Sequence, residues 1–453
     1  TLSNRVHKHA PIGILSDNLP EWIVIDLASH SLGAPIIPIP SFFSREQILH
    51  TIETAQIGTL VTNIDAFAFS LGFDLVGDVI GNFKLFEKPL TSSAIAINNV
   101  QKITFTSGTT ASPKGVCLSS NDQIEVAWTL KEVLAPLEIK RHLNLLPLAV
   151  LLENIAGVYT ALLSEAENIC LPMKAIGFES ATSFNPDRCL AAIESYQIES
   201  VILLPQMLKA LVMVLGKNDP RIRSLKFVAV GGAKTSAVLI QQAIDLGLPI
   251  YEGYGLSECC SVVALNLPDL RKVGSVGQVL PNREVRISPQ SEIQVRMQTA
   301  VRYLGEAPIE AQWLDTGDIG HLDEDGFLYV DGRKKNLLIT SFGRNISPEW
   351  PESLLLESSF ISQACVVGEA MPHLSALIST FNPAQSPESI QSAIDASNTH
   401  LPEYAQIKHW MLIKEGFTVA NGLATANGRL KRDAILKKYQ HDITSLYVSQ
   451  GIL

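Results

Sequence analysis

Apolar runs of strand length alternate with helix-like segments along most of this chain. The run "PIGILSD", which starts at Pro11, precedes the helical pattern "NLPEWIVIDLASHSLG", and "APIIPIP", "SREQILHTIETAQ" and "TLVTN" follow. The same order returns in "CLAAIESYQ", "SVILLP", "LKFVAVGGA" and "SAVLIQQAIDLG". Because strands separated by helices usually form parallel sheets that are covered on both faces, the pattern predicts an α/β fold with doubly wound sheets.

Length and composition indicate more than one domain. A chain of 453 residues is too long for one compact core, and 46% hydrophobic with 18% charged residues is ordinary for a globular protein. From about Lys272 the alternation changes to short strands and turns, such as "EIQVRM" and "GFLYVDGR", which predicts a small barrel-like subdomain. Residues 331–453 carry 11 basic and 11 acidic side chains, so the acidic excess lies before them. This difference in charge is consistent with a separate C-terminal domain.

Charge, hydropathy and cysteine spacing exclude several classes of protein. The formal net charge of -10 argues against a nucleic-acid surface. The longest nearly apolar run, "LNLLPLAVLL" at 143–152, is about half of the roughly 20 residues that a membrane-spanning helix needs. The six cysteines show no CxxC spacing and no Cys/His cluster, so neither a disulfide framework nor a zinc site is indicated. We therefore expect a cytoplasmic protein with no membrane span.

The stretch "TFTSGTTASPKG", residues 104–115, is the first candidate for chemistry. Its hydroxyl groups, its glycines and the single Lys114 could surround an anion with donors, and phosphate is the natural ligand. A flexible polar loop is the simpler interpretation of such a cluster taken alone. A P-loop is excluded because Pro113 removes a backbone donor and Gly115 stands where that motif needs serine or threonine.

Two further polar stretches follow in the sequence. "YEGYGLSE", at 251–258, ends a predicted strand with tyrosines, a hydroxyl and a carboxylate, which could serve a base and a metal ion. "WLDTGDIG", at 313–320, is predicted to place Asp315, Thr316 and Asp318 on a turn, where a carboxylate could accept both hydroxyls of a ribose. Arg333 follows in "DGFLYVDGRKKN". Taken separately, each stretch is also compatible with an ordinary surface turn or a close backbone approach.

In this order the motifs resemble one family closely. The chain resembles the adenylate-forming superfamily of acyl-CoA synthetases, luciferases and nonribosomal-peptide adenylation domains, and the "LPLA...E" and "TANGRLKR" forms look most like long-chain acyl-CoA synthetases. The stretches that carry the resemblance are "TFTSGTTASPKGV", "LPLAVLLENIAG", "AVGGAK", "YEGYGLSE", "LDTGDIGHLDEDGFLYVDGRKKNLLIT", "GRNISPEWPE" and "TANGRLKR". They extend from residue 13 to about residue 436.

The resemblance implies a role for individual residues. In the family the first loop closes over the β- and γ-phosphates of ATP, a role that falls here to Thr106, Ser107, Gly108, Thr109, Thr110 and Lys114. The adenine side of the site would consist of Gly231, Gly232, Ala233, Tyr254, Gly255 and Ser257. Asp318 and Arg333 would hold the ribose, and Glu258 would bind Mg²⁺. The catalytic charges would be those of Lys114, Glu258 and Arg429.

The resemblance also implies the reaction and the domain organisation. A carboxylate attacks the α-phosphorus of MgATP to give an acyl-adenylate and pyrophosphate, and a thiol, most often that of CoA, then displaces AMP. The partners would therefore be a small-molecule carboxylic acid, ATP and CoA, while the oligomeric state is not predicted. Residues 1–333 would form the large domain and 335–453 a small mobile α+β domain, with a hinge near Lys335. The family rotates its small domain between the two half-reactions, and a domain movement of this kind can limit turnover.

Two departures from the family pattern leave the substrate and the activity open. Arg429 stands where the family usually has a lysine that bridges carboxylate and phosphate, and the exchange alters both bulk and geometry. We expect it to slow the first half-reaction. Val150 stands where long-chain synthetases often have histidine or an aromatic residue, so Val150 and Leu152 are predicted to line an alkyl pocket, although both could be plain core. A medium- or long-chain fatty acid is the favoured substrate, and the alternative is a nucleotide-binding sensor with weak adenylation.

Overall fold

The structure is a computed structural model that describes residues 11–89, 99–106, 114–180, 183–425 and 428–448. In chain order its strands are β1 (Ile12–Leu15), β2 (Ile36–Pro38), β3 (Thr59–Thr62), β4 (Asp74–Ile80), β5 (Phe83–Glu87), β6 (Lys102–Thr106), β7 (Lys114–Leu118), β8 (Arg141–Leu143), β9 (Glu167–Ile169), β10 (Phe178–Ser180), β11 (Ser183–Phe184), β12 (Ser200–Leu203), β13 (Phe227–Val230), β14 (Ile250–Tyr254), β15 (Ala264–Leu265), β16 (Gln278–Val279), β17 (Val285–Ile287), β18 (Glu292–Arg296), β19 (Arg302–Tyr303), β20 (Trp313–Leu322), β21 (Leu328–Arg333), β22 (Leu338–Ile339), β23 (Asn345–Ile346), β24 (Ile361–Val367), β25 (Leu374–Thr380) and β26 (Ile407–Leu412).

The α-helices are α1 (Pro20–Leu32), α2 (Arg45–Thr54), α3 (Asp65–Ser70), α4 (Ser120–Leu134), α5 (Thr160–Leu163), α6 (Pro186–Ser195), α7 (Pro205–Val214), α8 (Ala237–Asp245), α9 (Glu349–Leu355), α10 (Pro387–Asn398), α11 (Arg432–Lys438) and α12 (Gln440–Val448). A π-helical segment, Glu153–Tyr159, runs directly into α5.

Two mixed sheets form the centre of the first part of the chain. The first has the order β19-β7-β6-β2-β1-β3-β5-β4, and β6-β2-β1-β3 at its centre are parallel. The second has the order β16-β15-β14-β13-β12-β8-β9, and β14 to β9 are parallel. The α/β prediction is confirmed. The outer strands of the first sheet and the pair β15-β16 are antiparallel, a feature that the alternation of elements does not indicate.

Helices fill the space between the sheets and cover their outer faces. One core joins α1, α4 and the π-helical segment to both sheets, and includes Trp22, Val126 and Ile155. The outer face of the first sheet packs against α2 and α3, and that of the second against α6, α7 and α8. The local signals in the sequence fit these elements, because Pro20 begins α1 and Gly33 ends it in the left-handed region at φ 64.

A small antiparallel sheet with the order β17-β18-β20-β21 follows. The change of pattern near residue 272 predicts short strands in a barrel-like subdomain, and these four strands form an open sheet instead of a closed barrel. The prediction that Asp315, Thr316 and Asp318 lie on a turn is wrong, because all three belong to β20. The turn-like composition is overridden by pairing with β18 on one side and β21 on the other. Gly317, at φ 72, and shifts of register in both ladders adapt the strand locally.

The C-terminal part has a different architecture. A three-stranded sheet, β24-β25-β26, packs against α9 and α10 around a core that includes Leu355, Ile378 and Ile394. A turn of 3₁₀ helix at Lys334–Asn336 links β21 to β22, and the predicted hinge at Lys335 lies in it. Among the described residues, no helix is long and apolar enough to cross a bilayer.

Candidate active site

A cavity of about 1930 Å³ opens where the parallel strands of the second sheet end. Gly231 follows β13 and Tyr254 closes β14, so both face the carboxyl edge at which α/β sheets commonly bind ligands. The cavity is also lined by Asp318 of the small sheet and by Arg429 of the C-terminal part. Residues far apart in sequence, from two sheets and a C-terminal loop, thus meet around one space.

Asp318 is the centre of a fixed hydrogen-bond network. The hydroxyl of Tyr254 donates to Oδ2 of Asp318 at 2.7 Å, and Nε of Arg333 lies 2.8 Å from Oδ1. The backbone N–H of Asp318 donates to Oγ1 of Thr316 at 3.1 Å. Burial raises the pKa of the Asp318 carboxyl, and the charge of Arg333 opposes that shift. The network fixes the orientation of a nearly buried carboxylate before any ligand arrives.

The glycines beside this network allow segments of the backbone to pack closely. Gly232 adopts φ 83, a conformation that few other residues tolerate, and a Cβ at Gly231 would approach the carbonyl oxygen of Gly253 to 3.2 Å. A Cβ at Gly255 would collide with the carbonyl of Ser261. The glycines therefore let the end of β13 and the segment after β14 pack closely against neighbouring backbone, with Gly231 buried and Gly232 exposed at the cavity.

Glu258 belongs to a second group of polar contacts. The hydroxyl of Tyr303 donates to Oε1 of Glu258 at 2.8 Å. Nζ of Lys114 lies 5.3 Å from the centre of the Tyr303 ring and 3.0 Å from Oε1 of Glu306. Tyr303 lies between Lys114 and Glu258 because β19 pairs with β7, where Tyr303 is opposite Val116, two residues after Lys114. The ring thus connects the predicted phosphate-binding lysine with the predicted metal-binding carboxylate.

Arg429 reaches the same cavity from the C-terminal part. Its Nε donates to the carbonyl oxygen of Gly232 at 3.0 Å, and a second donor of its guanidinium, Nη2, contacts the same oxygen. Water reaches the side chain, but protein surrounds it on most sides. Desolvation and then the charge of Arg333 lower the pKa of Arg429, while the carboxylates of Asp318 and Glu258 act in the opposite direction. The guanidinium therefore lies in the field of both predicted ligand-binding carboxylates.

Several predicted residues are brought together and others lie outside the described part. Tyr254, Ser257, Glu258, Asp318 and Arg333 all line the cavity. So do Gly231, Gly232, Ala233, Gly255, Lys335 and Arg429. Thr106 closes β6 and Lys114 opens β7, at the two ends of the predicted phosphate loop. Ser107, Gly108, Thr109 and Thr110 lie outside the described residues.

Part of the cavity wall is apolar. Val150 and Leu152 belong to it, and so do Leu130 and Leu134 of α4 and Ala161 of α5. We define these five residues as the acyl arm. Leu130, Leu134 and Ala161 belong to α4 and α5, which pack against each other and against the π-helical segment, while Val150 and Leu152 precede that segment.

The polar groups in the wall near the arm are paired with one another. His142 and Ser200 line the cavity, and the two ring nitrogens of His142 contact Oε1 of Glu153 and Oγ of Ser200, each at 2.9 Å. Glu153 is completely buried and also accepts a hydrogen bond from the backbone N–H of Leu146. A Cβ at Gly157 would collide with Glu153, so the glycine leaves room for this pair. The wall can therefore face apolar atoms without leaving these groups unpaired.

Sequence reasoning missed three residues of the site. Tyr303 and Glu306 lie in "VRYLGE", which carries no recognisable pattern, and their role follows only from the pairing of β19 with β7. Glu252 lies inside "YEGYGLSE", so this motif could have indicated it. Burial raises the pKa of Glu252 to about 8, although the backbone N–H of Thr235 donates to it. Burial therefore favours the neutral form of this carboxyl.

Comparison with known proteins identifies relatives of the whole chain. The sequence profile of a family described as AMP-binding enzyme matches residues 2–299, and that of an AMP-binding enzyme C-terminal domain matches residues 335–451. The long-chain-fatty-acid–CoA ligase FadD15 of Mycobacterium bovis is 26% identical, over 96% of this chain and 87% of the relative. The 2-succinylbenzoate–CoA ligase of Bacillus thuringiensis subsp. konkukian is 27% identical, over 80% of this chain and 76% of the relative.

Solved structures share the fold. The anthranilate CoA ligase AuaEII in complex with anthranoyl-AMP superposes with a TM-score of 0.80 at 19% identity, over 98% of this chain and 90% of that one. The o-succinylbenzoate CoA synthetase of Bacillus subtilis with its acyl-adenylate intermediate gives a TM-score of 0.75 at 21% identity, over 96% and 89%.

Proposed function

The chain belongs to the AMP-binding enzyme family, in its group of AMP-forming acid–CoA ligases, and we propose that it activates a medium- or long-chain fatty acid with ATP. In the first step the carboxylate attacks the α-phosphorus and pyrophosphate leaves. In the second step the thiol of CoA attacks the acyl carbonyl and AMP leaves. Most of the catalysis then comes from positioning and charge neutralisation rather than from a protein nucleophile.

The observation that carries the choice of substrate is the acyl arm. It is continuous with the charged network and is lined by Leu130, Leu134, Val150, Leu152 and Ala161. An alkyl chain placed there gains about 0.8 kcal/mol for each methylene group that it buries. The name of the FadD15 relative supports the same substrate class.

The charged network supports the binding of ATP. Asp318, oriented by Tyr254 and Arg333, is placed to accept hydrogen bonds from ribose hydroxyls. The exposed backbone of Gly232, which lines the cavity, supports an adenine site. The residues fit this ligand because the carboxylate is already held by its partners and an exposed glycine lines the same cavity.

Glu258 is proposed to hold the Mg²⁺ that accompanies ATP. Within the described residues, no group of three or more histidine, cysteine, aspartate or glutamate side chains forms a metal site. One carboxylate is nevertheless sufficient here, because Mg²⁺ commonly binds through one or two carboxylates together with substrate phosphates and water. The ion would offset phosphate charge, while Lys114 and Arg429 supply the remaining positive charge.

The arrangement of the two parts fits the first half-reaction. Arg429 lies beside Gly232 and in the field of Asp318 and Glu258, where it can stabilise the charge that develops between carboxylate and phosphate. We propose that residues 335–453 form a mobile domain that turns about Lys335 before the thiol step. In that second arrangement Arg429 would leave the acyl carbonyl.

ATP–pyrophosphate exchange over a panel of acids tests the proposal. We expect exchange with octanoate, laurate and palmitate, and little with acetate or benzoate. Exchange only with aromatic acids would replace the fatty-acid substrate by the class named for the succinylbenzoate and anthranilate relatives. No exchange with any acid, together with demonstrated binding of ATP, would favour the nucleotide sensor with weak adenylation.

A further inference from the structure

A lysine of the large part, residues 1–333, donates hydrogen bonds to the backbone of the C-terminal part. Nζ of Lys209, on α7, donates to the carbonyl oxygens of Leu356, Ser358 and Ile361 at 2.8, 2.9 and 2.8 Å. An ammonium group has three donors and no acceptor, so these three bonds use all of them. The ring of Phe381 lies 5.3 Å from the same nitrogen. Backbone carbonyl groups of the segment 356–361 thus bind the ammonium group that α7 presents.

The hydrogen-bond partners of Lys209 are unusual for a lysine. Surface lysines usually stay hydrated or pair with a carboxylate, whereas the hydrogen-bond partners described for Lys209 are neutral carbonyl groups. Desolvation lowers the pKa of Lys209 to about 8, so the docked position removes much of the water around the ammonium. The carbonyl groups replace that water only while the two parts remain together.

The same face of the large part carries the contacts that place Arg429. Gln206 is one turn before Lys209 on α7, and a Cβ at Gly428 would come within 2.8 Å of its side chain. Oγ of Ser236, at the start of α8, donates to Glu357 at 2.8 Å. Lys209 therefore belongs to an interface that ends at Arg429 and Gly232.

We propose that Lys209 is a positioning residue, which holds the C-terminal part in the arrangement that brings Arg429 to the nucleotide. This inference rests on the proposed function. The bonds to Leu356, Ser358 and Ile361 exist in this arrangement, and rotation of residues 335–453 breaks them. Lys209 thus favours acyl-adenylate formation and is not needed for attack by the thiol.

The test separates the two half-reactions in Lys209→Met, which keeps the length of the side chain and removes its three donors. Lys217→Met is the matched control, because Lys217 is exposed just after α7. We expect single-turnover pyrophosphate release to fall about tenfold or more in Lys209→Met, since the closed arrangement loses population. Thioester formation from supplied acyl-adenylate should stay within about twofold of the wild type, and Lys209→Arg should restore part of the first step.

Equal losses in both half-reactions, or an unchanged first step, would overturn the proposal. Thermal unfolding of each variant separates misfolding from loss of positioning. If the wild type forms no AMP with any acid, the proposed function fails but the role of Lys209 is still tested by amide hydrogen exchange. Faster exchange in residues 356–361 of Lys209→Met than of Lys217→Met supports the contact, and equal exchange overturns it.

Discussion

The two ends of the cavity are built in different ways. The nucleotide end consists of strand ends and loops, where Tyr254, Asp318 and Arg333 orient one another through directional bonds. The acyl arm consists of apolar side chains such as Leu134 and Leu152, which we propose act through shape and apolar area. Because of this difference, we expect substitutions at the first end to alter the rate with every acid. Changes at the second should alter which acid is accepted.

The largest effect is expected at Arg429. Arg429→Ala removes a preorganised cation and should slow pyrophosphate release by about 10² to 10³ with every acid, while thiolysis of supplied acyl-adenylate changes little. Rapid-quench measurement of each half-reaction checks this. Arg429→Lys tests the departure from the family pattern: a faster first step favours the weak-adenylation alternative, whereas an equal or slower one means that the site is built around arginine.

The second-largest effect is expected when the proposed metal ligand is removed. Glu258→Gln keeps the size of the side chain and removes its charge, so we expect turnover to fall about 10²-fold at fixed Mg²⁺. The Mg²⁺ concentration for half-maximal rate should rise. Tyr303→Phe is the matched control, because it removes the hydroxyl that contacts Glu258 and keeps the carboxylate. A Mg²⁺ dependence equal to that of the wild type in Glu258→Gln would remove Glu258 from the metal site.

Asp318→Ala should weaken ATP binding with little dependence on the acid. The substitution removes charge-assisted hydrogen bonds worth about 1.5 to 3 kcal/mol, which corresponds to a rise of about 10- to 10²-fold in the dissociation constant. Calorimetric titration with ATP measures the change. Asp315→Ala, on the exposed side of the same strand, should bind ATP as the wild type does. Similar losses in both variants would indicate a general disturbance of β20.

A bulky side chain in the acyl arm should shift the preference of the enzyme from long to short acids. Ala161→Phe narrows the arm between α4 and α5 and should lower kcat/KM for palmitate about tenfold, with little loss for a short acid, because two methylene groups that can no longer be buried cost about 1.6 kcal/mol. Competition between palmitate and butyrate in one reaction measures the ratio. Unchanged preference would show that the alkyl chain lies elsewhere.

The smallest effect is the increment per methylene group in the wild type. Each group buried in the arm should improve kcat/KM by at most about fourfold, which corresponds to about 0.8 kcal/mol, until the arm is full. A series of saturated acids with even chain lengths gives the slope and the length at which it ends. A flat series would contradict an apolar acyl site.

The sequence predicts the elements of the fold better than the contacts between them. The strands and helices around Gly231 and Tyr254 follow from hydrophobic periodicity, and resemblance pointed to Asp318 and Arg333. The strand at Trp313–Leu322 was mistaken for a turn, because the composition around Gly317 is turn-like and the neighbouring strands decide the outcome.

Contacts across long sequence separations leave no local signal. Tyr303 meets Glu258 through the pairing of β19 with β7, and Lys209 meets Ser358 through the docking of two parts of the chain. Both contacts depend on tertiary geometry, so neither periodicity nor residue type indicates them.

The most direct measurement follows oxygen from the acid. A fatty acid labelled with ¹⁸O in both carboxylate oxygens is incubated with ATP, Mg²⁺ and CoA, and the products are analysed by mass spectrometry. Attack of the carboxylate on the α-phosphorus leaves one ¹⁸O atom in AMP when the thiol displaces it, and this is the result that we predict. Label in inorganic phosphate, or AMP without label, would contradict an acyl-adenylate intermediate.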